Sequence, residues 1–105
     1  MKATLKPRQQ RRLTILRKET LADLRSRYNA IDEEIKELGE YTNRTELTRA
    51  ELVDVSLRGM ELVDQATVLL DAAIPIAKGS MRRDLEEMKQ EWFLRRLILS
   101  MVAEA

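Results

Sequence analysis

TRAELVDVSLRGMELVDQATVLLDAAI, residues 48–74, is the stretch whose reading decides the fold. It is the longest run with apolar residues at helical spacing, and both of its ends are marked. Thr48 and Glu51 have the spacing of a capping box, in which each side chain satisfies the other residue's otherwise unpartnered backbone N–H. Pro75 closes the run, because its ring clashes with the preceding turn and its nitrogen carries no proton. The spacing therefore predicts a central helix over 48–74, about 40 Å long at about 1.5 Å per residue. Its apolar positions include Leu52, Val55, Leu62, Val63, Val68, Leu69 and Leu70, and cover more than a single stripe. Such a helix is buried on more than one side, so a second copy or a partner is expected to close the core. Gly59, Ala66 and Ala73 recur every seventh residue and offer a strip small enough for a close neighbour.

Before this run, Pro7 suits the first position of a helix. Leu24, Tyr28, Ile31, Ile35 and Leu38 then follow at steps of four and three, which is a heptad seam with charged residues between its members. Residues 39–45 (GEYTNRT) have the composition of a connection, so a first helix is predicted over about 8–40. Beyond Pro75, Gly79 and Ser80 break the chain, and Ser80 is expected to cap a third helix over about 81–103. The fold class is all-α: a long helical hairpin plus a C-terminal third helix with coiled-coil-like packing, expected to be oligomeric. Its domains are a basic segment, 1–18, and a single helical domain, 19–105.

Composition narrows the chemistry. Neither cysteine nor histidine occurs among the 105 residues. That excludes disulfides, thiolate metal sites, Ser-His-Asp and Cys-His nucleophiles and histidine-based zinc or di-iron motifs. No glycine-rich phosphate loop occurs, and no run of 18 apolar residues is available to span a membrane. The basic N-terminus has no apolar core behind it, unlike a secretory signal. A non-enzymatic, cytoplasmic protein is expected, with no cofactor, no metal and no small-molecule substrate.

The net charge of +1 conceals an asymmetry. Residues 1–18 carry Lys2, Lys6, Arg8, Arg11, Arg12, Arg17 and Lys18 and no acid, a net of +7. The remaining 87 residues hold 12 basic and 18 acidic side chains, a net of −6. Seven cations in 18 residues suit contact with phosphates and make nucleic acid one expected partner; an acidic protein surface is the alternative. The expected protein interface is Trp92, Phe93, Leu97, Ile98 and Met101 in the third helix, where aromatic anchors adjoin Arg95 and Arg96. Glu33, Glu37 and Glu40 share one helical face and read as solvated. Asp64 and Asp71 lie on the most apolar helix and call for cationic partners, with Arg58, Arg82 and Arg83 the candidates.

Two partial resemblances accompany these readings. TRAELVDVSLRGMEL, residues 48–62, resembles the second helix of ribbon-helix-helix DNA-binding proteins, IDEEIKEL at 31–38 resembles their first helix, and LRSRY at 24–28 their strand. That resemblance implies an alternative fold, a ribbon-helix-helix core with a C-terminal helical oligomerisation segment. It also implies a dimer that inserts a two-stranded ribbon, with Arg25 and Arg27 facing the groove, into DNA. The charged first helix followed by a turn and an apolar helix is similar to helical plasmid mobilisation accessory proteins. The leading expectation is a DNA-associated accessory or regulatory protein whose basic segment contacts phosphates while the helical body oligomerises. The alternative is a coiled-coil adaptor, inhibitor or assembly factor that binds another protein through its apolar C-terminal helix.

Overall fold

The computed structural model describes residues 7–104, apart from the side chain of Leu13. Three helices follow one another: α1 (Pro7–Arg44), α2 (Arg49–Ala73) and α3 (Gly79–Glu104), with a single 3-10 turn (Ile74–Ile76) between the last two. The molecule measures 61 × 23 × 19 Å, so α1, about 57 Å long at about 1.5 Å per residue, sets its length. The all-α hairpin with a third helix is the architecture expected.

The capping box forms as the sequence indicates. The Glu51 N–H donates to the Thr48 hydroxyl, and the Thr48 N–H donates to the Glu51 carboxylate, both at 3.2 Å. At the other end α2 stops at Ala73, two residues before Pro75, and Ala77 N–H folds back onto the Ala73 carbonyl at 3.0 Å.

Two boundaries differ from expectation, and the alternative fold is overturned. The first helix does not end near residue 40 but runs through Gly39 to Arg44. A glycine in a helix costs about 1 kcal/mol and does not by itself end one. Here the next turn is held by Thr42, whose hydroxyl donates to the Leu38 carbonyl at 2.8 Å, and by the Glu40–Arg44 ion pair. The third helix begins at Gly79, so Ser80 lies within its first turn and is not a flanking cap. Gly79 has a φ of +61°, a conformation that side chains with a Cβ rarely adopt, and this reverses the chain after the 3-10 turn. Finally, residues 24–28 are helix and no strand occurs among the described residues, so the ribbon-helix-helix alternative loses its ribbon. Leu24 and Tyr28 continue the heptad seam of Ile31 and Ile35, and a strand there would break that seam.

The core lies along α2. Leu62, Val63, Ala66, Leu70 and Ala73 are buried, joined by Ala77 and by Trp92 from α3. Around them pack Tyr28, Ile31 and Ile35 of α1 and Leu85, Met88 and Leu99 of α3. The breadth of apolar surface on the central helix is thus covered from two sides, as expected, but within one chain: α3 closes the second side. Full burial of each Leu or Val contributes roughly 1.5–3 kcal/mol. Gly59, also buried, lets Leu99 approach closely, and Ser56 satisfies its hydroxyl on the Leu52 carbonyl at 2.8 Å.

Tyr28 joins α1 to α3. Its hydroxyl accepts a hydrogen bond from the Trp92 indole N–H at 2.8 Å, and the two rings meet edge to face, 88° apart in plane. Burial raises the Tyr28 hydroxyl above its ordinary 10.0; the Trp92 N–H opposes this, and the Asp32 charge adds to it. The folded state then holds this proton after the unfolded chain has released it. The contribution is complete below pH 10 and is lost as pH rises through the folded value. The urea midpoint is therefore expected to fall above about pH 10, and less steeply in Tyr28→Phe. Lys36, raised by its hydrogen bond to Asp32, adds a loss of the same sign that both chains share. Equal slopes in the two chains would remove Tyr28 as the source.

Candidate interaction surfaces

Cross-helix ion pairs fix the register of the bundle. Arg58 of α2 reaches Glu34 of α1 at 2.6 Å, so equal steps along these antiparallel helices set Ala73 opposite Glu19. Residues 7–18 consequently extend past the end of α2, about 18 Å of helix at about 1.5 Å per residue. Nearly every described side chain there is exposed, with Arg17 partly covered. This arm carries Arg8, Arg11, Arg12, Arg17 and Lys18, while Lys2 and Lys6 lie outside the described residues. At about 100° per residue, Arg8, Arg11, Arg12 and Lys18 fall within one sector of roughly 120°, with Arg17 on the far side.

None of these five cations forms an ion pair with a described residue, whereas seven of the twelve cations of the body, Arg27, Lys36, Arg44, Arg58, Arg82, Lys89 and Arg96, pair with a carboxylate. The arm has no acid in reach at i+3 or i+4 before Glu19, so its charge stays uncompensated. The fold adds to this end. Because α3 runs parallel to α1 and begins where α2 stops, it brings Lys78, Arg82 and Arg83 to the same end of the molecule as the arm. That placement is not visible in the sequence, since residues 7–18 and 78–83 share an end only through the topology.

Acids share this end too: Asp84, Glu86 and Glu87 follow Arg83 on α3, and Glu86 pairs with Arg82 at 3.5 Å. Glu33, Glu37 and Glu40 are exposed on α1, as expected, and no group of three carboxylates among the described residues is placed to hold a metal. Asp64 and Asp71 are exposed, and their partners are Arg96 and Lys89 of α3, in place of the Arg58, Arg82 or Arg83 expected. The reason is register: both pairs belong to one antiparallel alignment of α2 with α3. Arg58 is already held by Glu34 and Glu61.

The five expected interface residues separate into two groups. Trp92 is not a surface anchor; it is 2 % exposed, one of the most buried side chains of the core. Arg95 covers its ring with the guanidinium 4.7 Å from the centroid. Phe93, Leu97, Ile98 and Met101 are exposed, between 47 % and 70 %, and Leu94 joins them at 59 %. At about 100° per residue these five centre roughly opposite Trp92, so α3 carries a core ridge and a separate outward ridge. The signal was present in the phase: Leu85, Met88, Trp92 and Leu99 follow one helical line, and Phe93, Leu97 and Met101 another.

The concavities are open depressions, one along Pro7, Gln10, Arg11, Thr14 and Ile15 and another beside Asp71, Pro75, Glu86 and Lys89. No described helix is long and apolar enough to cross a membrane. Comparison with protein families, with curated proteins and with solved structures finds no match.

Proposed function

We propose that the chain is a non-enzymatic, DNA-associated accessory or regulatory protein whose basic arm contacts phosphates while the helical body assembles with other copies. The observation that supports this is the arm itself: five cations with no ion pair to a described residue, on a helix that runs past α2. Glu33, Glu34, Glu37 and Glu40 lie about 20 Å or more along α1 from Lys18, beyond the Debye length of about 8 Å at physiological salt, whereas Glu19, Asp84, Glu86 and Glu87 lie nearer the base of the arm. A single helix also fits the major groove of a duplex, and glutamines at 9 and 10 can donate to phosphate or base edges.

The test is binding to a random-sequence duplex by anisotropy at low and moderate salt. It compares the intact chain with a variant carrying Arg8→Gln, Arg11→Gln, Arg12→Gln, Arg17→Gln and Lys18→Gln. Each phosphate contact contributes about 0.9 to the slope of log affinity against log salt, so the intact chain is expected to weaken steeply. The variant, with unchanged helicity, binds at least about tenfold more weakly and with a flatter slope. Absence of salt-dependent binding by the intact chain sinks the reading.

A second reading treats the arm as a solvated tail and makes the protein a helical adaptor, inhibitor or assembly factor. The exposure of Phe93, Leu94, Leu97, Ile98 and Met101 favours it.

A further inference from the structure

We infer that the outward ridge of α3 is the self-association surface, and that it meets the same ridge of a second copy antiparallel, across a two-fold axis near Leu97. This rests on the assembling half of the function proposed above and specifies its geometry.

Area comes first. Phe93, Leu94, Leu97, Ile98 and Met101, half to two-thirds exposed, present roughly 500 Å² of apolar surface on one side of α3. Two such ridges face to face bury roughly 1,000 Å² in total, the lower end of what a specific interface needs. The ridge also lies opposite Trp92, so a second copy covers it without disturbing the core.

Direction follows from the polar half of the same face. Arg83, Glu87, Gln90, Leu94, Leu97 and Met101 succeed one another at steps of four and three, which is one heptad line, polar in its first half and apolar in its second. A parallel pair sets Arg83 against Arg83 and Glu87 against Glu87 of the two copies, and like charges so apposed repel. An antiparallel pair centred on Leu97 instead sets Phe93 opposite Met101 and Gln90 opposite Glu104 of the other copy. Arg83, Glu86 and Glu87 of one copy then lie at the opposite end of the contact from the same residues of the other, so the like charges are kept apart. The ridge is therefore self-complementary in one orientation only. A lipid surface suits it poorly, because Glu86, Glu87 and Glu91 border it and repel anionic headgroups.

The test uses the full chain. Sedimentation equilibrium between about 1 and about 100 µM is expected to show a mass rising from 12.2 kDa toward twice that value, and Leu97→Glu is expected to stay monomeric with unchanged helicity. The absence of cysteine permits a directional check. Under mild oxidation, a mixture of the Phe93→Cys and Met101→Cys chains is expected to cross-link to each other, whereas Phe93→Cys alone stays uncross-linked. Ready cross-linking of Phe93→Cys to itself overturns the antiparallel pairing. A mass that remains at 12.2 kDa overturns self-association and leaves the ridge to a foreign protein. Duplex binding measured on the same samples keeps the two ideas apart. Duplex binding by a persistent monomer overturns this inference alone; a dimer without duplex binding supports it and overturns the nucleic-acid reading.

Discussion

Replacing Trp92 with alanine is expected to remove roughly 3–5 kcal/mol of folding stability, the usual loss when a buried aromatic is truncated. The residue is 2 % exposed and belongs to the same cluster as Val63, Ala66 and Leu70, with Tyr28, Leu85, Met88 and Leu99 around it. Truncation empties that space, strips the Tyr28 hydroxyl of its donor, and removes the ring that Arg95 covers. A domain of this size holds about 5–15 kcal/mol in total, so a large share of the margin disappears. Trp92→Phe separates the terms: it keeps most of the apolar volume but lacks the N–H, and the hydrogen bond alone is worth about 1 kcal/mol. Urea unfolding followed by far-UV circular dichroism measures both. If the alanine variant stays within about 1 kcal/mol of the parent, Trp92 is not the keystone of the α1–α3 junction.

The second large effect is expected at Gly59. A Cβ built there meets the two terminal carbons of Leu99 at 3.1 and 3.3 Å, tight but movable, because Leu99 is a partly exposed side chain. Gly59→Ala is therefore expected to be close to neutral: about 1 kcal/mol gained in helix propensity offsets a small shift of Leu99. Gly59→Leu adds three more carbons where α3 already lies against α2. It is expected to cost about 3 kcal/mol, through displaced side chains or a displaced helix. The combination Gly59→Leu with Leu99→Ala returns the volume to the other side of the contact and should recover much of the loss, a coupling that a double-mutant cycle measures directly. Additive losses in the double variant would mean that these two positions do not press on one another.

Those two sites show what kind of information a single sequence carries. The bounds of α2 were legible because local chemistry writes them: a capping box is two side chains three residues apart, and a proline opposes continuation of the helix that precedes it. The seam from Leu24 to Leu38 was legible for the same reason, since periodicity is a property of one helix. Trp92 was assigned to the wrong side because composition alone placed it with Phe93, although their phases on the helix differ. The partners of Asp64 and Asp71 depend on how far α3 slides along α2, a quantity set by Gly59, Ala66 and Leu99 meeting across the interface. Gly39 misled in the opposite sense: its propensity points to a break, and the turn that follows outweighs it. The basic residues of the arm were visible, but not that Lys78, Arg82 and Arg83 join them, which only the three-helix topology brings about.

The continuity of α1 has a mechanical meaning. Helices kink at prolines, glycines or bulges, and neither a proline nor a glycine lies between Arg8 and Leu38. The arm is therefore a strut without a joint, cast in one piece with the seam that holds Tyr28. A push on its tip is not absorbed locally; it arrives as torque at the Tyr28–Trp92 contact. Whatever grips the basic end also gains leverage over the packing of the third helix.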